Sequence, residues 1–156
     1  LYAEWLVASA TGSADGAREE WAPHDVTFDG IHIEVKSAAY VQAWKQAKPS
    51  LIQFAIGPTK GWDSKTGLYD AVSRRQAAVY VFCLLGTKEA TEVDVLDVSA
   101  WRFFVLATRV LDGKLPKQKT ISLSALLALE PTEATFEQLP DAIHRAAKPP
   151  EAETNV

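Results

Sequence analysis

The chain has no methionine and only one cysteine, Cys83, in 156 residues. A single thiol cannot close an internal disulfide, so a stapled secreted scaffold is excluded and a reducing, cytoplasmic setting is the default. No stretch reaches the roughly 18 consecutive apolar residues of a membrane span, and nothing at the start resembles a secretion signal, so no membrane partner is expected. Zinc-like Cys/His spacing, a phosphate-cradling glycine loop and a Ser-His-Asp arrangement are all missing, which leaves several catalytic classes without support. Positive charge is not in excess either: the net charge of −4 argues against a generally sticky, basic nucleic-acid binder. The absence of methionine, with an opening Leu1-Tyr2-Ala3-Glu4-Trp5 that already has helical character, leads us to expect a missing natural N-terminus or a piece of a longer protein.

The charge that is present is unevenly spread. Residues 1–35 carry seven acidic side chains and one basic, Arg18. Residues 36–75 carry seven basic ones (Lys36, Lys45, Lys48, Lys60, Lys65, Arg74, Arg75) against Asp63 and Asp70. An acidic cluster followed by a basic stretch suits a protein that holds cations beside a phosphate chain. An ordinary solvated surface gives such a pattern about as often.

The length suits one domain over residues 1–147, with a frayed tail at 148–156. Residues 1–10 read as a helix with Tyr2, Trp5, Leu6 and Ser9 along one side. Arg18 to Trp21 reads as a short strand, and Ser50 to Ile56 as another, ended by Gly57-Pro58. Thr66 is placed to cap a helix running to about Ala77, with Leu68, Ala71, Val72 and Arg75 at helical spacing. Ala78 to Leu85 is a continuous apolar run closed by Gly86, the pattern of a strand buried on both faces. Asp97 is placed to cap a helical turn before a strand over Arg102 to Leu106. Helices are expected at Leu123–Leu129 and Phe136–Ala147. Helices alternating with strands point to an α/β fold around a mixed central sheet.

The strongest local signal is His24-Asp25-Val26-Thr27-Phe28, then Asp29-Gly30, then Ile31-His32-Ile33-Glu34-Val35-Lys36. Both flanks alternate apolar and polar residues, and Asp-Gly favours a two-residue turn in which both positions take positive φ. That turn pairs Phe28 with Ile31, Val26 with Ile33 and Asp25 with Glu34. One face then carries Val26, Phe28, Ile31, Ile33 and Val35; the other carries Asp25, Thr27, His32, Glu34 and Lys36. Two facing carboxylates repel. A divalent cation between them removes the conflict, and Mg²⁺ is commonly held by one or two carboxylates with several waters retained. Lys36 adds a mobile positive charge beside them. Glu-x-Lys alone decorates the exposed face of many strands; it is the facing Asp25 that raises the catalytic reading.

These residues resemble the PD-(D/E)xK nuclease superfamily, which includes restriction endonucleases and Holliday-junction resolvases. The resemblance rests on His24-Asp25-Val26, on Ile33-Glu34-Val35-Lys36-Ser37 and on the order of elements over residues 1–86. Residues 87–147 form an extension that matches nothing in that plan. The resemblance implies an αβββαβ core: a helix, a three-strand meander with the acidic residues and lysine, a crossover helix and a buried strand. It implies a Mg²⁺-dependent nuclease, Mn²⁺ substituting, that hydrolyses phosphodiester bonds in nucleic acid, as a DNA endonuclease. Asp25 and Glu34 take the place of the metal ligands and Lys36 that of the catalytic lysine, while Glu4 stands where a first-helix glutamate reaches the metal. His24 stands in place of the proline in the family's name, which leaves the subgroup open. A module that keeps the carboxylates but only binds nucleic acid or regulates is the alternative, and cutting two strands often calls for a homodimer.

Further nucleic-acid contacts are expected from His32, Ser37, Gln42, Lys45, Lys48, Lys60 and Arg74. His32 shares the polar face with Glu34, although a half-exposed strand histidine is the commoner outcome. Tyr40, Gln42 and Trp44 follow the lysine strand and lie at the mouth of the site or extend the strand. Lys45, Lys48 and Lys60, with Trp62 nearby, make a basic, aromatic-bearing loop that can track a phosphate backbone or simply be solvated. Arg74 and Arg75 are expected on the crossover helix, one aimed back toward phosphate. By alternation His24 falls on the core side of the hairpin. Cys83 reads as a buried small hydrophobe.

Overall fold

A computed structural model describes residues 2–15, 24–40, 51–89 and 92–150. The central sheet has five strands: β1 (Val26–Phe28), β2 (Ile31–Ala39), β6 (Val79–Leu85), β7 (Trp101–Ala107) and β9 (Thr132–Ala134), in the order β1-β2-β6-β7-β9. The β2–β6 pair is parallel and the other pairs are antiparallel, so the sheet is mixed and the class is α/β. Every residue of β6 is buried. Its Val79, Val81 and Cys83 join one core, and Tyr80, Phe82 and Leu84 join the other. That is the period-two consequence of covering both faces, as the unbroken apolar run implies. Burial pushes the Cys83 thiol well above its ordinary range, so it stays protonated.

The first core packs α1 (Tyr2–Ala10) and α4 (Leu139–Ala147) on the sheet through Ala3, Leu6, Val7, Leu139, Ala142 and Ile143. The buried stripe of α1 is therefore not the expected Tyr2-Trp5-Leu6-Ser9 line. Ala3, Leu6 and Val7 let the helix approach closely, while Trp5 lies 55% exposed and stacks on Tyr2 at 5.6 Å between ring centroids. The opposite face is covered by a small sheet of β3 (Gln53–Ala55) and β8 (Thr120–Ser122), with α2 (Thr108–Lys114) and α3 (Leu123–Ala128). Phe54 from β3 meets Phe82 of β6 edge-on at 5.1 Å. The Ser50–Ile56 strand thus forms, though over 53–55 and outside the main sheet.

The expected helix over 66–77 is absent. In its place stands a two-strand ribbon, β4 (Trp62–Asp63) and β5 (Leu68–Tyr69), followed by extended chain. Leu68 and Val72, which were to face a core, are 66% and 73% exposed and find none. Locally, the Asp63 carboxylate accepts the Lys65 N–H at 2.8 Å, and Gly67 adopts a φ of 67°, where glycine is at ease. These two features close a turn before a helix can nucleate.

Elsewhere local signals prevail. Asp97 accepts the Ser99 N–H and starts the short helical turn 98–100 before β7. Ser122 caps α3 through Ala125. Residues 18–21 lie outside those described, as do 41–50 and 151–156. Among the described residues no helix is long and apolar enough to cross a membrane.

Candidate functional site

The turn that sets the site forms as its sequence requires, with φ of 50° at Asp29 and 75° at Gly30. Phe28, Thr27 and Val26 pair with Ile31, His32 and Ile33. One residue further the ladder changes. The Asp25 N–H bonds the carbonyl of Ile33, which is already the partner of Val26, at 3.0 Å. The Asp25 carboxylate then accepts the Val35 N–H at 2.8 Å. The expected Asp25–Glu34 rung is therefore not made. A bulge of one residue ends the pairing, and a side-chain oxygen takes up an edge donor that would otherwise be left open.

The same bulge inverts the alternation before it. His24 was expected on the core side. Instead its ring stacks on His32 at 3.9 Å and 4°, and its Nε2 lies 2.7 Å from Thr27 Oγ1. His24, Thr27 and His32 form one polar group at the outer end of the hairpin.

Glu34 and Lys36 lie on the second face of β2, beside Tyr80 and Phe82 of β6. Lys36 Nζ is 2.8 Å from Glu34 Oε1, and the two side chains are only 27% and 23% exposed. Burial raises the Glu34 pKa, the hydrogen bond from Lys36 opposes it, and the nearby charges of Asp25 and Glu4 raise it further. Asp25 and Glu4 of α1 are thus both close enough to act on Glu34, which Lys36 meets directly. Among the described residues, however, no three His, Cys, Asp or Glu side chains converge closely enough to hold a metal ion.

Tyr80, read in the sequence only as part of an apolar run, is the register neighbour of Glu34 and is 3% exposed. Its hydroxyl pKa is pushed up to about 12, first by burial and then by the Glu34 charge, with Arg75 opposing. Arg75 is itself buried, and not on a helix. Its guanidinium donates to Asp112 at 2.9 Å and to the carbonyls of Ile56, Leu115 and Gln118. It is a structural clamp, not a phosphate-seeking side chain. Only the tyrosine hydroxyl in the apolar stretch Ala78–Leu85 hinted at a polar neighbour there.

Among the expected nucleic-acid contacts, His32 is exposed on the Glu34 face. Ser37 is exposed, but alternation puts it on the face opposite Lys36. Arg74 stands on extended chain bridged to Thr59, not on a helix, and Lys60 is exposed next to that bridge. Gln42, Lys45 and Lys48 fall outside the described residues.

Comparison with known proteins gives no family. The chain matches no family model, no curated protein and no solved structure. The reading of the site rests on its own geometry.

Proposed function

We propose that this chain is a Mg²⁺-dependent nuclease that hydrolyses phosphodiester bonds in DNA, built on a PD-(D/E)xK-like core. The observation that carries the reading is the Glu34–Lys36 contact at 2.8 Å, on a face where Glu34 also feels Asp25 and Glu4. Burial together with like charge disfavours the ionised form of Glu34, and a cation would relieve both effects. The donors suit a hard ion, because Mg²⁺ needs only one or two carboxylates from the protein. Asp25 and Glu34 would hold it, with Glu4 of α1 as a further candidate. Bound there, Mg²⁺ (or Mn²⁺) supplies Lewis-acid polarisation of a phosphoryl oxygen and acidifies water.

The rest falls to the chain. Glu34 orients Lys36, whose ammonium is a compact charge with three rotatable donors. Lys36 positions the attacking water or stabilises negative charge developing on the phosphate. Tyr80 and Phe82 form a packed wall behind the pair and limit its motion. The order of α1, hairpin and fully buried β6 supports the family-like core, although the expected crossover helix over 66–77 does not form. A second reading is a module that binds nucleic acid without cutting it, favoured in that no three metal donors converge among the described residues.

Cleavage of single-stranded, duplex and branched DNA with Mg²⁺ or Mn²⁺ separates the two. We expect Lys36→Ala to abolish cleavage while circular dichroism and the unfolding midpoint stay close to wild type. Equal cleavage by wild type and Lys36→Ala removes the lysine from the chemistry. Binding without cleavage in both selects the second reading.

A further inference from the structure

The β4–β5 ribbon has a feature that its size does not explain. Trp62 and Tyr69 are cross-strand partners with ring centroids 4.8 Å apart, and they are 38% and 67% exposed. Leu68 and Val72 beside them are exposed too. A two-strand ribbon without a core beneath it is marginal by itself; the cross-strand ring contact helps to hold it, and both rings still keep surface open to solvent.

Charged residues flank the rings in the sequence. Asp63 turns its carboxylate onto the Lys65 N–H, which lowers its pKa. The Asp70 carboxylate lies over Gly61, close enough that a Cβ there would collide with it. Both acids are nevertheless exposed, as are Lys60, Lys65 and Arg74, the last with its Nε 3.3 Å from Gln76 Oε1. Three cations against two carboxylates leave the segment 60–74 with a small positive excess.

The position of the ribbon also matters. It is rooted in the paired Thr59 and Arg74 backbones, and the Ala78 N–H, four residues on, bonds the His32 carbonyl at 2.9 Å. Four residues of chain span at most about 14 Å. The ribbon therefore springs from the end of the sheet that carries the hairpin's polar face.

We propose that this ribbon is an arm that binds single-stranded DNA: the Trp62–Tyr69 pair stacks on an unpaired base, and Lys60, Lys65 and Arg74 follow the flanking phosphates. Exposed rings suit any base because each has a π-face, and basic side chains supply the sequence-independent attraction. Paired bases in a duplex hide those faces, so the arm discriminates by strandedness. That the bound strand leads toward Lys36 rests on the nuclease reading; the arm itself does not.

The test is fluorescence anisotropy with a labelled single-stranded oligonucleotide and the matching blunt duplex, in EDTA so that cleavage plays no part. Wild type should prefer the single strand. The double variant Trp62→Ala/Tyr69→Ala should lose roughly tenfold or more of that affinity, with its unfolding midpoint little changed. Tyr69→Phe, which keeps the ring, should retain binding. Lys65→Ala should make the single-strand affinity less dependent on salt, by about one phosphate contact. Equal single-strand affinity in wild type and the double variant, or no preference for single strand over duplex in wild type, overturns the proposal and leaves the rings to a protein contact. Ring-dependent binding with no cleavage in Mg²⁺ or Mn²⁺ keeps the arm and removes the nuclease. Lys36-dependent cleavage with ring-independent binding does the reverse.

Discussion

Arg75 and Glu34 both lie next to Tyr80 and are both largely withdrawn from water, yet their surroundings differ in kind. The Arg75 guanidinium donates to one carboxylate and three backbone carbonyls, and so ties the end of β3, the end of α2 and the chain after it into one unit. Its planar fork suits that task. Glu34 is paired, among the described residues, with Lys36, and two further carboxylates, Asp25 and Glu4, work against its charge. The first cluster is closed and balanced. The second is half open, and the like charges of Asp25 and Glu4 act on a half-buried carboxylate. A charge whose partners are all internal serves the fold. A half-buried carboxylate perturbed by burial and by like charge is the kind of group that clusters at functional sites.

Three measurements sharpen or break this contrast. The largest effect is expected for Arg75→Ala. Removing the clamp leaves three carbonyls without their donor and should cost about 3–5 kcal/mol in urea unfolding. A loss below about 1 kcal/mol would mean that water replaces the guanidinium and that the cluster is not a clamp.

Glu34→Gln comes next. Because the fold raises the Glu34 pKa, the native state holds this proton to a higher pH than the unfolded chain does. Between the two values the native state binds more protons, so metal-free stability falls as pH climbs from the ordinary carboxylate range through the raised native value. Glu34→Gln should remove that slope and stabilise the metal-free protein at neutral pH. Urea midpoints measured in EDTA from about pH 4 to 7 check this, and an identical slope in both proteins would show that the site is balanced after all.

The smallest effect belongs to Asp112→Asn. The Asp112 side chain is 55% exposed, so its ion pair with Arg75 should contribute no more than about 0.5–1 kcal/mol. A loss approaching that of Arg75→Ala would place the strength of the clamp in the ion pair and not in the carbonyls.

Much of the hairpin was legible in the residues. Asp29-Gly30 fixes the turn, and alternation about it puts Ile33 and Val35 into the core and Glu34 with Lys36 on the other face. The bulge at Asp25 was not legible, because it answers a need that alternation does not encode: the Val35 N–H at the sheet edge has to find an acceptor. That single event moved His24 to the side of His32 and turned an expected carboxylate rung into a backbone contact. The error over 66–77 has the same origin. Leu68, Ala71, Val72 and Arg75 match a helix, but helical spacing stabilises a helix only where a surface exists to receive its apolar stripe. Tyr80 passed unnoticed as a neighbour of Glu34 because the two lie on different strands and meet only in the folded sheet, and Arg75, expected on a helix and toward phosphate, is held inside instead.

By itself the sequence determined what near neighbours can enforce. That covers the two-residue turn, the buried run of β6, the Asp97 and Ser122 caps, and the placing of Glu34 and Lys36 on one face two residues apart. Tertiary structure decided which strand lies beside Glu34, how the ladder ends at Asp25, and that residues 62–69 stand away from the core as a ribbon. The physical reason is range. Turns, caps and alternation act over a few residues, whereas burial and the pairing of edge donors depend on segments that the chain brings together only once it has folded.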